Sequence, residues 1–313
     1  MSDAHVSQIA PVLIIFFNRP DNLKQLLAVL SRADVSDLYF ASDGPRDEND
    51  AILINAGWEL IKETYPNLPP GRMLMREHNL GCRTAVSSAI SWFFSKVEFG
   101  IIIEDDCIPN EEFFEVLTSG LLKHSSNLDV FSINATNPFG SHKRLSTPYL
   151  TIYPQIWGWA SWANRWSLYK LDFLDGDEIV RNMISRSLRT QNFIKRWKFR
   201  SIWSRILDLA GRGKIDTWDY SMLASMWRNQ KYSIQLTGNY VKNIGFSQNA
   251  THTTIKPFWA PEKYWRGKDR HNETLEPNEN LDSWLTSKVY RCTFVSMAKN
   301  LAKDIMNSIG LRS

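Results

Sequence analysis

The chain has only three cysteines in 313 residues, Cys82, Cys107 and Cys292, far apart and in no CxxC pair. That number argues against both a disulfide framework and a cysteine-based zinc site, and a reducing compartment is the simplest reading. Long apolar runs are also missing. The longest, residues 12–17, falls far below the roughly 18 residues that span a bilayer, and the polar start MSDAHVSQ has no apolar segment of signal-peptide length. The sequence therefore predicts a cytoplasmic protein, soluble or peripheral at the inner face of a membrane. Glycine (15) and proline (13) are too few for a collagen-like or low-complexity chain. Neither GxxxxGK[ST] nor GxGxxG occurs, which removes P-loop ATP hydrolysis and Rossmann-type hydride transfer as leading readings. The net charge of +4 is too mild to imply nucleic acid, yet it suits a protein that meets anionic ligands.

What is present is a globular composition, 43% apolar, with an unusual aromatic content of 13 Trp, 16 Phe and 10 Tyr. Apolar runs at 12–17, 38–41, 72–75, 100–103 and 130–133 alternate with amphipathic stretches near 21–31, 49–64, 82–96 and 111–123. This alternation predicts a βαβ series, hence a doubly wound, mainly parallel α/β sheet flanked by helices. Such sheets bind ligands beyond the carboxyl ends of their strands. The residues following the strands are Asn18-Arg19-Pro20, Ser42-Asp43-Gly44-Pro45, His78-Asn79-Leu80-Gly81 and Glu104-Asp105-Asp106. Three adjacent carboxylates at a strand end repel one another unless a cation is shared, and a hard divalent ion such as Mn²⁺ or Mg²⁺ is the natural partner. An aspartyl phosphatase would need a nucleophilic Asp two residues before a second Asp, and the triplet starts with Glu104.

Several segments, in order, resemble the nucleotide-sugar glycosyltransferases of the GT-A fold, especially N-acetylglucosaminyltransferase I and bacterial relatives in polysaccharide synthesis. They are PVLIIFFNRP, the ASDG turn, NLGCRTAVSSAISWFF, the IIIEDDCIPNEEFF variant of the DxD motif, Trp157-Gly158-Trp159, TWDYSM and NIGFSQNATHT, spanning most of residues 11–255. The resemblance implies that Asp43 contacts the nucleobase, that Arg19 lines the nucleotide pocket, and that Glu104 and Asp105 hold the ribose and sugar. It makes Asp106 the metal ligand, with His252 a further candidate for the metal or the diphosphate. Arg83 is placed to approach base or phosphate. Trp218-Asp219 resembles the pair whose Asp takes the acceptor proton in inverting enzymes. Trp218 would add donor-side apolar surface, and Asp216 is the competing base or a cap for the helix predicted over 220–228.

Trp157 and Trp159 are candidate acceptor platforms, since indole faces stack on sugar rings. Against this, Trp159, Trp162 and Trp166 stand at i, i+3, i+7, the spacing of a helix facing a core. Ten Lys or Arg face one acid, Asp208, between Arg181 and Lys214, with aromatics interleaved. This basic helical stretch is predicted to form an acceptor-side insertion, either as a solvated face or against anionic lipid or a charged acceptor. Residues 1–269 read as the catalytic domain, with a nucleotide-binding half to about 135 and an acceptor half over 136–269. Residues 270–283 read as a linker, and 284–313 as a C-terminal amphipathic helix, docked or lying on a membrane. The expected activity is metal-dependent, inverting transfer of a hexosyl or N-acetylhexosaminyl group. The donor would be a nucleoside diphosphate sugar, UDP-sugar by default, and the acceptor a glycan or lipid-linked hydroxyl. A noncatalytic glycan-binding protein and a sugar nucleotidyltransferase are the alternatives. The first needs no acidic triplet, and the second normally has a basic glycine-rich loop after its first strand.

Overall fold

The computed structural model describes residues 8–140, 145–246, 256–269 and 274–290. The first half alternates strictly: β1 (Val12–Phe16), α1 (Pro20–Arg32), β2 (Leu38–Ser42), α2 (Glu48–Thr64), β3 (Met73–Met75), α3 (Gly81–Phe94) and β4 (Phe99–Glu104). Local chemistry explains the boundaries. Pro20 opens α1, where its missing N–H costs nothing, and Leu23, Leu26, Leu27 and Leu30 then form one buried stripe. Asp47 caps α2 by accepting the Asp50 N–H at 2.8 Å.

The chain continues through β5 (Cys107–Pro109), α4 (Phe113–Lys123), β6 (Val130–Asn134), β7 (Tyr149–Thr151), β8 (Trp159–Trp162) and the single turn α5 (Ala163–Trp166). Three helices follow, α6 (Gly176–Ser187), α7 (Phe193–Gly211) and α8 (Asp219–Arg228), then β9 (Tyr232–Gln235), β10 (Val241–Asn243) and α9 (Glu279–Lys288). The main sheet has eight strands in the order β3-β2-β1-β4-β8-β6-β9-β7, and β10 pairs with β5 in a separate ribbon. β8 runs antiparallel to both β4 and β6, and β7 runs antiparallel to β9; the other pairings are parallel. Six of the eight strands therefore point the same way, and the carboxyl ends of β1, β2 and β4 lie side by side.

Two expectations are corrected. Trp159–Trp162 is a strand buried at every position, so the helix-like spacing of the tryptophans reflects a strand running into α5. The expected linker over 270–283 contains the start of α9, whose Asn278 cap accepts the Leu281 N–H at 3.1 Å. That helix docks on the domain through Leu281, Leu285 and Asp282. The Asp282 carboxylate accepts hydrogen bonds from the Thr151 hydroxyl at 2.5 Å and the Ile152 N–H at 3.1 Å. Most of the predicted C-terminal helix, residues 291–313, lies outside the described residues.

Candidate active site

A cleft of about 560 Å³ opens at the strand ends, within the usual range for small-molecule sites. From β1 and β2 it takes Phe17, Arg19, Ser42 and Asp43; from β4, Glu104 and Asp106; from the start of α8, Trp218 and Asp219. Each stands at the end of a buried strand, at the start of a packed helix, or in the loop between them.

Asp43 organises the β3–α3 loop. Its carboxylate accepts the Leu80 N–H at 3.0 Å, the Gly81 N–H at 3.1 Å and the Asn79 side-chain amide at 2.9 Å. Gly81 has φ +75°, a left-handed conformation that suits glycine, and this turn starts α3 against Asp43. Asp216 also serves α3, accepting the Arg83 N–H at 3.1 Å. It therefore caps a helix other than the predicted one, because α8 begins at Asp219 with no side-chain cap.

The acidic triplet divides by burial. Asp105 is fully buried, accepts the Phe17 N–H at 3.3 Å, pairs with Arg19 and does not line the cleft, which corrects its expected contact with the donor. Asp106 reaches the cleft, where Arg19 donates to its Oδ2 at 2.8 Å and the Asn243 amide to its Oδ1 at 3.2 Å. Burial, reinforced by Asp106 and opposed by Arg19, pushes the Glu104 carboxyl up to about 8. Burial opposes the charge on Arg19, but Asp105 and Asp106 hold that guanidinium above its ordinary range. Burial also pushes the Cys82 thiol, which lines the cleft, up to about 12.

Among the described residues no group of three or more His, Cys, Asp or Glu forms a ready-made metal cage. The donor chemistry nevertheless fits a hard cation, because two carboxylates, Glu104 and Asp106, face one cleft with Arg19 as the adjacent counter-charge. Mg²⁺ and Mn²⁺ commonly take only one or two protein carboxylates and complete their shell from substrate and water. Space is kept open there as well, since a Cβ on Gly245 would lie 2.2 Å from Asp106 Oδ2.

Asp219 is the first residue of α8, and the Thr217 hydroxyl donates to its Oδ1. Trp218 is almost fully buried and stacks on Trp159, with centroids 5.8 Å apart. Trp159 is 1% exposed and absent from the cleft wall, so its expected acceptor contact is corrected: it is core. Trp157 does line the cleft, stacked on Trp259 at 5.0 Å and edge-on to Phe246 at 5.5 Å. Arg83 is corrected too. Its guanidinium is turned away from the cleft to the Leu171 carbonyl at 2.7 Å and the Asp172 carboxylate at 2.9 Å, tying α3 to the segment before α6. His252 lies outside the described residues.

Sequence reasoning assigned no role to Phe17, Asn243, Gly245, Trp259 or Tyr290, all of which line the cleft. Asn243 and Gly245 stood inside the NIGF segment, but nothing local signals that the β5–β10 ribbon lays them against Asp106. Tyr290 follows α9 and stacks on Tyr153 at 4.5 Å, a contact between distant parts of the chain.

This architecture is a doubly wound α/β domain of the GT-A class, with acidic and aromatic groups gathered at its strand ends. The glycosyl transferase family 2 profile matches residues 12–189, more than half of the chain, and the protein belongs to that family of glycosyltransferases. Among solved structures, the apo form of the bifunctional glycosyltransferase WbbM is similar to it at 10% identity and a TM-score of 0.33, covering 74% of this chain. The present chain spans 40% of that one. No curated protein matches the sequence.

Proposed function

We propose that this protein is a metal-dependent, inverting glycosyltransferase. It moves a hexosyl or N-acetylhexosaminyl group from a nucleoside diphosphate sugar, UDP-sugar by default, to a hydroxyl of a glycan or lipid-linked acceptor. One observation carries the reading: Arg19, Asp43, Glu104 and Asp106 from three strand ends share a single cleft with Asp219 of α8. The nucleotide-binding half extends to about residue 135, and the acceptor half comprises 136–269.

In this scheme the acceptor oxygen attacks the anomeric carbon as the bond to the diphosphate oxygen breaks, and an Asp219 carboxylate oxygen takes the acceptor proton. Its place in the first turn of α8 favours a negative charge there, and the Thr217 hydroxyl orients it. Asp106 and Glu104 would hold the divalent ion, whose chemistry when bound is to neutralise charge on the departing diphosphate. Arg19 fixes Asp106 from the other side, and Asp43 holds the β3–α3 loop at the nucleotide. Trp157 offers an apolar face to the acceptor.

A thermal-shift panel of UDP, GDP, CDP and dTDP, each with Mn²⁺ and with chelator, tests the reading on wild type and Asp106→Ala. A ligand at 100 times its Kd stabilises by about 2.7 kcal/mol. The expected result is one nucleotide that stabilises only with metal and only when Asp106 is present. Equal melting of both proteins in every condition would overturn the donor site.

A further inference from the structure

The N-terminal half of α7 leaves three large apolar side chains in solvent: Phe193 is 80% exposed, Ile194 53% and Trp197 46%. Standing at i, i+1 and i+4, they share one side of the helix. The helix does not need them for packing, because Phe199, Ile202, Trp203 and Leu207 already anchor its buried face. Singly scattered apolar residues are ordinary on a surface, whereas two aromatics and an isoleucine within five residues form a patch.

The same stretch, 189–200, carries Arg189, Lys195, Arg196, Lys198 and Arg200 and no acid. Two acids from neighbouring elements are already engaged. Asp177 of α6 pairs with Arg181 and Arg200, and Glu279 of α9 accepts from the Thr190 hydroxyl. The patch therefore fits a partner that is both anionic and able to admit apolar tips. A second copy of this chain docking the same patch would set these cations against themselves. The segment 291–313, with Arg291, Lys299, Lys303 and Arg312 against Asp304, has the same sign as the patch.

We propose that the N-terminal half of α7 docks the protein on an anionic bilayer surface. Phe193, Ile194 and Trp197 enter the boundary between headgroups and acyl chains, and Lys195 and Arg196 meet the lipid phosphates. Trp197 stands six residues, about 9 Å of helix, before Trp203. The Trp203 ring packs against Tyr290 of the cleft wall at 5.1 Å. The docked helix thus backs the cleft, although the proposal holds whatever reaction the cleft performs.

The test is flotation of the full chain with vesicles of phosphatidylcholine alone and of phosphatidylcholine with phosphatidylglycerol. Two variants are compared, Phe193→Ser/Ile194→Ser/Trp197→Ser and Lys195→Glu/Arg196→Glu. Wild type is expected to float only with the anionic vesicles, and each variant to bind them about tenfold or more weakly. Phe193, Ile194, Lys195 and Trp197 are exposed and Arg196 is half-buried, and none lines the cleft, so the thermal midpoint and metal-dependent nucleotide binding should stay unchanged, which separates this proposal from the donor-site reading. Absence of binding to anionic vesicles, or binding that neither variant weakens, would overturn it. So would a wild-type dimer, seen by light scattering, that the apolar variant dissociates without any vesicle binding.

Discussion

Gly245 is set by its neighbour, because any side chain there would have to occupy the space of the Asp106 carboxylate. Gly245→Ala is expected to displace Asp106 and lower kcat/KM by about 10- to 100-fold, with metal-dependent nucleotide stabilisation weakened in the same protein. Asp219→Asn keeps an acceptor for the Thr217 hydroxyl but cannot take a proton. Steady-state kinetics should show kcat down by about 10²- to 10⁴-fold while nucleotide binding is retained. The cleft positions of Asp106 and Asp219 were legible, the first because a carboxylate just beyond a strand is a local pattern and the second through the resemblance of Trp218-Asp219 to a family pair. Arg83 and Trp159 misled for the converse reason. A cation at a helix start and a Trp near a glycine look the same in sequence whether they face ligand or protein, and only the Leu171 carbonyl and the Trp218 ring decide.

Among the elements, α3 shows how much of the site rests on a single connection. Two carboxylates from distant segments, Asp43 and Asp216, receive its first N–H groups. Asp43→Ala leaves part of that helix terminus uncapped, and urea denaturation should show a loss of about 1–2 kcal/mol, with Asp43→Asn losing less. The first four strands and their helices could be read directly, since each strand is a short apolar run and each helix an amphipathic one. β8 could not. Its four residues are all buried between β4 and β6, so no polar alternation marks it as a strand. The start of α9 was hidden by polar residues, of which Asn278 is a cap and Asp282 a buried anchor.

At the scale of the whole molecule, three buried acids give stability a direction in pH. Burial pushes Glu104 to about 8 and both Asp105 and Asp282 to about 7, above unfolded values of 4.5 for the Glu and 3.8 for the two Asp. The folded chain therefore keeps protons that the unfolded chain has released, and stability falls as pH rises from about 4 to about 8. Asp50, Asp175 and Asp177 are shifted downward, so their contribution is complete above about pH 4 and does not cancel this slope. Urea midpoints measured without added metal should decline across that window, and Asp282→Asn should make the decline below about 7 shallower, with Asp105 and Glu104 supplying the rest. The thirteen tryptophans have a further consequence. Only Trp157, Trp218 and Trp259 line the cleft, two of them as a stacked pair, while Trp58, Trp203 and Trp227 are sealed in the core. Ligand entry should change the emission of those three indoles over a steady background, so the protein carries an optical reporter of its own cleft, readable without any label.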